Sequence, residues 1–98
     1  MTITKKLEND ALCIALEGRL DTVTAPELEA ELKKALDNVN ALTLDFSRLD
    51  YISSAGLRVL LSAHKLMSRK GGMTVTGVNE IVREVFDVTG FSDVLHIA

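Results

Sequence analysis

Residues 41–61 read Ala41-Leu42-Thr43-Leu44-Asp45-Phe46-Ser47-Arg48-Leu49-Asp50-Tyr51-Ile52-Ser53-Ser54-Ala55-Gly56-Leu57-Arg58-Val59-Leu60-Leu61, and two periodicities meet in them. Leu42, Leu44 and Phe46 alternate with other residues, the period of a strand with one buried face. From residue 55 the period changes. Leu57, Leu60, Leu61 and His64 share a helical stripe, and Val59, Ala63, Leu66 and Met67 widen it over most of the circumference. The spacing predicts a strand over 41–46, a connection over 47–52, and a largely buried helix over about 55–69. Arg69, Lys70 and the pair Gly71-Gly72 supply cations for its dipole and a left-handed stop. A strand that feeds a buried helix is half of a β-α-β unit.

Upstream, residues 2–7 (TITKKL) read as a polar strand whose Lys5 and Lys6 suit a sheet edge. Asn9-Asp10 marks a turn. Residues 11–17 (ALCIALE) are apolar on both alternating sets, which predicts a strand buried on both faces. Gly18 to Val23 is a turn. Thr24 and Glu27 have capping-box spacing, with Pro26 in the first turn of a helix over about 25–38. Downstream, residues 73–77 (MTVTG) are a strand. Asn79 caps a helix over about 80–88 that turns Ile81, Val82, Val85 and Phe86 inward, and Gly90 ends it. Residues 93–97 read equally as a short strand or the start of a terminal helix. The order β-β-α-β-α-β-α predicts one α/β domain over residues 1–98. Its sheet is mostly parallel, in roughly sequential order, with an antiparallel N-terminal strand and helices packed mainly on one face.

Composition narrows the function. With 47% hydrophobic residues, 98 residues build one core without disulfides or a metal. A net charge of −3 and a pI near 5.3 argue against nucleic-acid binding, which needs a basic patch. No apolar run approaches the ~20 residues of a membrane helix. Met1–Lys6 lacks the apolar stretch of a secretion signal, so a cytoplasmic protein is expected. No P-loop, G-x-G-x-x-G or G-x-S-x-G motif occurs. Cys13 reads as an inert core residue and His64 as a hydrogen-bonded core histidine. His96 reads as structural or solvated, and Met67 and Met73 as core gap-fillers. Asp45 reads as an acceptor for loop N–H groups, not a catalytic base. No enzyme activity, cofactor or metal is expected.

The residues that could carry chemistry lie where a strand ends and a helix begins. Ser53 and Ser54 sit at a helix N-terminus, where backbone N–H groups and the dipole favour an anion, a covalently attached phosphate included. Gly56 has no side chain, which leaves room for another protein's backbone. Arg58 lies one turn beyond Ser54 and could neutralise a phosphate there. The plainer alternative is that one serine simply caps the helix, a contribution of ~1 kcal/mol.

Three segments resemble the STAS family, specifically its small single-domain anti-sigma factor antagonists. They are Leu16–Asp21 followed by Thr24–Leu28, Leu42–Phe46 leading to Leu49, and Tyr51–Leu61. With the final helix around Val85-Phe86 and Gly90-Phe91 they span nearly the whole chain. Registering Gly56 on the family glycine places Ser54 at the family's phosphorylated serine, with Ser53 as an adjacent rival. Ser53 replaces the usual Asp, and Ala55 the usual Ser or Thr. The resemblance implies a partner switch. The unphosphorylated protein binds an anti-sigma factor that is also a serine protein kinase, phosphorylation releases it, and a metal-dependent serine phosphatase restores it. The implied partner surface comprises Asp21, Thr22, Thr24, Ser53, Ser54, Gly56 and Arg58. The alternative is an unphosphorylated STAS interaction or small-ligand module in a signalling or envelope-maintenance assembly.

Overall fold

A computed structural model describes residues 1–98. The elements are β1 (Thr2–Glu8), β2 (Ala11–Leu20), α1 (Ala25–Ala35), β3 (Ala41–Ile52), α2 (Ser54–Met67), β4 (Met73–Thr76), α3 (Glu80–Thr89) and β5 (His96–Ile97). Single 3-10 turns follow α1 at Leu36–Asn38 and α3 at Phe91–Asp93. The five strands form one sheet in sequential order. β1 pairs antiparallel with β2, and every other neighbouring pair is parallel. The expected topology is therefore observed, and the undecided C-terminal segment is a short strand.

One sheet face makes the core. Leu12, Ile14 and Leu16 on β2, Leu42, Leu44 and Phe46 on β3, and Met73 and Val75 on β4 are all buried. They meet Leu28 and Leu32 of α1, Leu57, Leu60, Ala63 and Met67 of α2, and Val82 and Phe86 of α3. Phe46 and Phe86 lie with ring centroids 6.5 Å apart. The opposite face carries Ala11, Cys13, Ala15, Thr43 and Asp45, none of them buried. So β2 is not buried on both faces, and Cys13 lies on the open face rather than in the core. Its alternate positions are small because no helix covers them, a pattern that periodicity alone reads as a two-sided core strand.

β3 is twice as long as its alternating stretch suggests, because it does not stop at Phe46. Ala15 pairs with Asp45, Glu17 with Arg48, Gly18 with Leu49 and Arg19 with Tyr51, so β3 gains a residue at each of two irregularities. Its buried residues are consequently Leu42, Leu44, Phe46, Leu49 and Ile52, with spacings that drift from two to three. Asp45 stabilises the first irregularity: its Oδ1 accepts the Ser47 N–H at 2.9 Å. That bond holds the Asp45 carboxyl below its ordinary value. Gly77, with φ +69°, sits against Ser47; a Cβ there would lie 2.8 Å from the Ser47 nitrogen.

The helical stripes are narrower than their sequences suggest. Leu57 and Leu60 are buried, but Leu61 is half-buried and Leu66 exposed. On α3, Ile81 is exposed and Val85 half-buried, leaving Val82 and Phe86 as the inward pair. Met67 and Met73 are buried as expected. Gly90 closes α3 with φ +82°.

Candidate functional site

β2 and β3 finish side by side. Leu20 pairs with Ile52, and the Ser53 N–H donates to the Leu20 carbonyl at 2.9 Å. This joins the turn before α1 to the first residues of α2. Ser53 is the α2 cap. Its backbone is extended (φ −101°, ψ 176°), and its Oγ accepts the Gly56 N–H at 3.5 Å, the long limit for such a bond. Ser54 is the first helical residue. It is exposed, and its hydroxyl makes no hydrogen bond within the chain. The cap therefore falls to Ser53, and the Ser54 hydroxyl is left without a partner in the chain. Arg58, one turn further on, is exposed and forms no ion pair, unlike Arg19, Arg48 and Arg83. It borders a cleft between α1 and α2 with Thr22, Ala25, Pro26 and Ala55.

The turn before α1 is capped differently from the sequence expectation. Thr24 makes no side-chain cap to α1, and Glu27 plays no part. The reciprocal box lies three residues upstream. Asp21 Oδ1 accepts the Val23 N–H at 3.0 Å and the Thr24 N–H at 3.1 Å, while Thr24 Oγ1 accepts the Asp21 N–H at 2.8 Å. The single Thr24 hydroxyl proton goes to the Arg19 carbonyl at 2.8 Å, shorter than its 3.1 Å approach to Asp21 Oδ1. The Asp21 carbonyl also accepts the Ala25 N–H at 2.8 Å, so the helical path effectively begins at Asp21. The Thr24 N–H bond, more than any other contact, lowers the Asp21 carboxyl below its ordinary value.

Gly56 is not a surface residue. It is buried, and a Cβ on it would lie 2.7 Å from Leu20 Cγ and 2.9 Å from Ile52 Cγ1. The room that its missing side chain leaves is filled by the ends of β2 and β3. Its part is to let α2 start close against the sheet, not to admit a partner. Thr22 is exposed beside the box.

Two features near the site escape sequence reasoning. The Arg19 guanidinium stacks 4.4 Å from the Tyr51 ring centroid while its Nε lies 3.8 Å from Asp21 Oδ2. Only the β2–β3 pairing brings these residues together. Val23, at the tip of the Asp21 turn, is 83% exposed. An apolar residue inside a turn was the available signal. Elsewhere, His64 Nδ1 is buried with no hydrogen-bond partner, so His64 is not the satisfied core histidine expected. His96 is exposed on β5. No group of His, Cys, Asp or Glu is arranged to hold a metal ion, and no helix is long and apolar enough to cross a membrane.

Comparison with known proteins agrees with this architecture. The family model described as the STAS domain matches residues 2–98. A protein of Bordetella bronchiseptica named as the anti-sigma factor antagonist BtrV is 39% identical, over 100% of this chain and 86% of its own length. An anti-sigma factor antagonist from Mycobacterium paratuberculosis has a crystal structure that superposes with a TM-score of 0.88 at 24% identity, covering 98% of this chain and 83% of that one. The Bacillus cell fate determinant SpoIIAA in its phosphorylated form shares the fold with a TM-score of 0.76 at 20% identity, covering 99% of this chain and 91% of that one.

Proposed function

The chain belongs to the STAS domain family, and we propose that it acts as an anti-sigma factor antagonist switched by phosphorylation of Ser54. In its unphosphorylated form it binds an anti-sigma factor that is also a serine protein kinase, and so frees a sigma factor. The kinase transfers the γ-phosphoryl group of ATP to Ser54 Oγ; the hydroxyl gives up its proton and ADP departs. A metal-dependent serine phosphatase hydrolyses the phosphoserine and restores binding. The chain is a binding module without catalysis of its own, and it works in the cytoplasm.

The observation that carries this reading is the free hydroxyl of Ser54, exposed on the first residue of α2 while Ser53 serves as the cap. A phosphate there adds about −1.5 to −2 charges to a chain already at −3. First-turn N–H groups and Arg58 favour the modified state of the free protein. Inside a close interface the same charge meets desolvation and repulsion. A release of about 100-fold needs only ~2.7 kcal/mol, within reach of local electrostatics without refolding. In this reading Asp21, Thr22, Thr24, Ser53 and Arg58 form the binding surface together with Ser54, and Gly56 lets α2 start close against the sheet.

The test uses each serine-kinase anti-sigma factor encoded in the source genome. Binding is titrated before and after incubation with ATP, and the product is weighed intact. The proposal expects one kinase to bind, to add a single phosphate, and to lose affinity for the product by about 100-fold. Binding without modification supports the unphosphorylated interaction module instead, and absence of binding to all of them refutes the antagonist reading.

A further inference from the structure

We propose that Val23 is an apolar contact for the partner and that Asp21 and Thr24 are positioning residues that hold it up, not contacts themselves. This rests on the antagonist reading and names which groups of that surface meet the partner. Asp21 Oδ1 is occupied by the Val23 and Thr24 N–H groups, and Thr24 Oγ1 is occupied by the Asp21 N–H and the Arg19 carbonyl. Arg19 closes on the other carboxylate oxygen. Asp21 Oδ1 and Thr24 Oγ1 are thus committed to the turn, and Asp21 Oδ2 faces Arg19 at 3.8 Å.

Val23 is the reverse case. Its backbone is fixed on both sides by the box, yet its side chain is 83% exposed. A β-branched residue has few rotamers, so a valine on a bonded turn loses little freedom when an interface orders it. The Ser53 N–H bond to the Leu20 carbonyl sets this turn beside the start of α2. An apolar side chain therefore stands out from a turn that is bonded to the start of α2. The matching partner surface is a shallow apolar pocket on the anti-sigma factor, flanked by groups that suit an uncharged hydroxyl and not a phosphate.

The experiment titrates the wild-type chain, Val23→Ser, Val23→Ile, Asp21→Asn and Asp21→Ala against the anti-sigma factor kinase, and follows amide hydrogen exchange at residues 23 and 24 of the free proteins. Val23→Ser is expected to weaken binding about tenfold or more with an unchanged urea midpoint, and Val23→Ile to restore it. Asp21→Asn keeps an acceptor oxygen, though not the charge, and so retains affinity and most of the amide protection; Asp21→Ala loses both. Wild-type affinity in Val23→Ser overturns the contact. Asp21→Asn binding as poorly as Asp21→Ala, with its amides still protected, overturns the positioning role. A wild-type chain that binds no anti-sigma factor overturns the functional reading, and this inference with it.

Discussion

The turns that lead into α1 and α2 stand side by side at the ends of β2 and β3, yet they treat their polar groups in opposite ways. Before α1, the Asp21 carboxylate and the Thr24 hydroxyl together satisfy four backbone groups. At α2, one serine makes a single long cap and the other makes no bond within the chain. The third helix start follows the first pattern. Asn79 Oδ1 accepts the Val82 N–H at 2.8 Å, and its Nδ2 donates to the Leu49 carbonyl at 2.8 Å. Groups that fix the chain are consumed by it. A group left free at a helix start, where N–H donors favour an anion, is available for reversible chemistry.

Gly56→Ala should disturb this contrast most. The added methyl meets Leu20 and Ile52 at less than 3 Å, and overpacking of this kind costs about 1–3 kcal/mol, read as a lower urea midpoint. Wild-type stability in that variant would show that α2 does not start as close to the strands as described. Asn79→Ala removes a cap and a tie to β3 together, and is expected to cost about 1–2 kcal/mol in the same assay.

Asp21 gives a pH signature. Its carboxyl is lowered in the fold, foremost by the Thr24 N–H bond, from an ordinary value of 3.8. The stabilisation by the charged form is therefore fully present above that ordinary value and is lost as pH falls through the lower folded one. The urea-midpoint gap between wild type and Asp21→Asn should be widest near neutral pH and close in strong acid. A gap that widens on acidification would contradict the box. The smallest effects separate the two serines. Ser53→Ala should cost ~0.5 kcal/mol, the low end for a cap, because its bond is long. Ser54→Ala should leave the urea midpoint at its wild-type value, as for an exposed group that bonds to nothing. Equal and larger losses at both would erase the difference between them.

The strand order was legible because strand-period and helix-period segments alternate along the chain, as in the change at Ser53. The register was not. Leu49 and Ile52 belong to β3, but the extra residues opposite β2 break the alternation, so residues 47–52 resemble a loop. The open face was hidden for a related reason: Ala11, Cys13 and Ala15 are apolar enough to read as core, and only the placement of all helices on the other side leaves them uncovered. The site was legible in part. Ser53 and Ser54 announce a helix start, and Gly56 fixes a close approach, but sequence does not say on which side. Glycine's missing Cβ faces the sheet here, not a partner. The capping box was misplaced by three residues because Thr24-x-x-Glu27 and Asp21-x-x-Thr24 both have suitable spacing. Hydrogen bonds decide between them.

We propose that Ser53 holds the helix while Ser54 takes the phosphate. This division is tested most directly by fragment mass spectrometry of the wild type, Ser53→Ala and Ser54→Ala after incubation with the kinase and ATP. Phosphate is expected on Ser54 in the first two proteins and is expected to be absent from Ser54→Ala. Phosphate on Ser53, or incorporation into Ser54→Ala at the wild-type level, would contradict it.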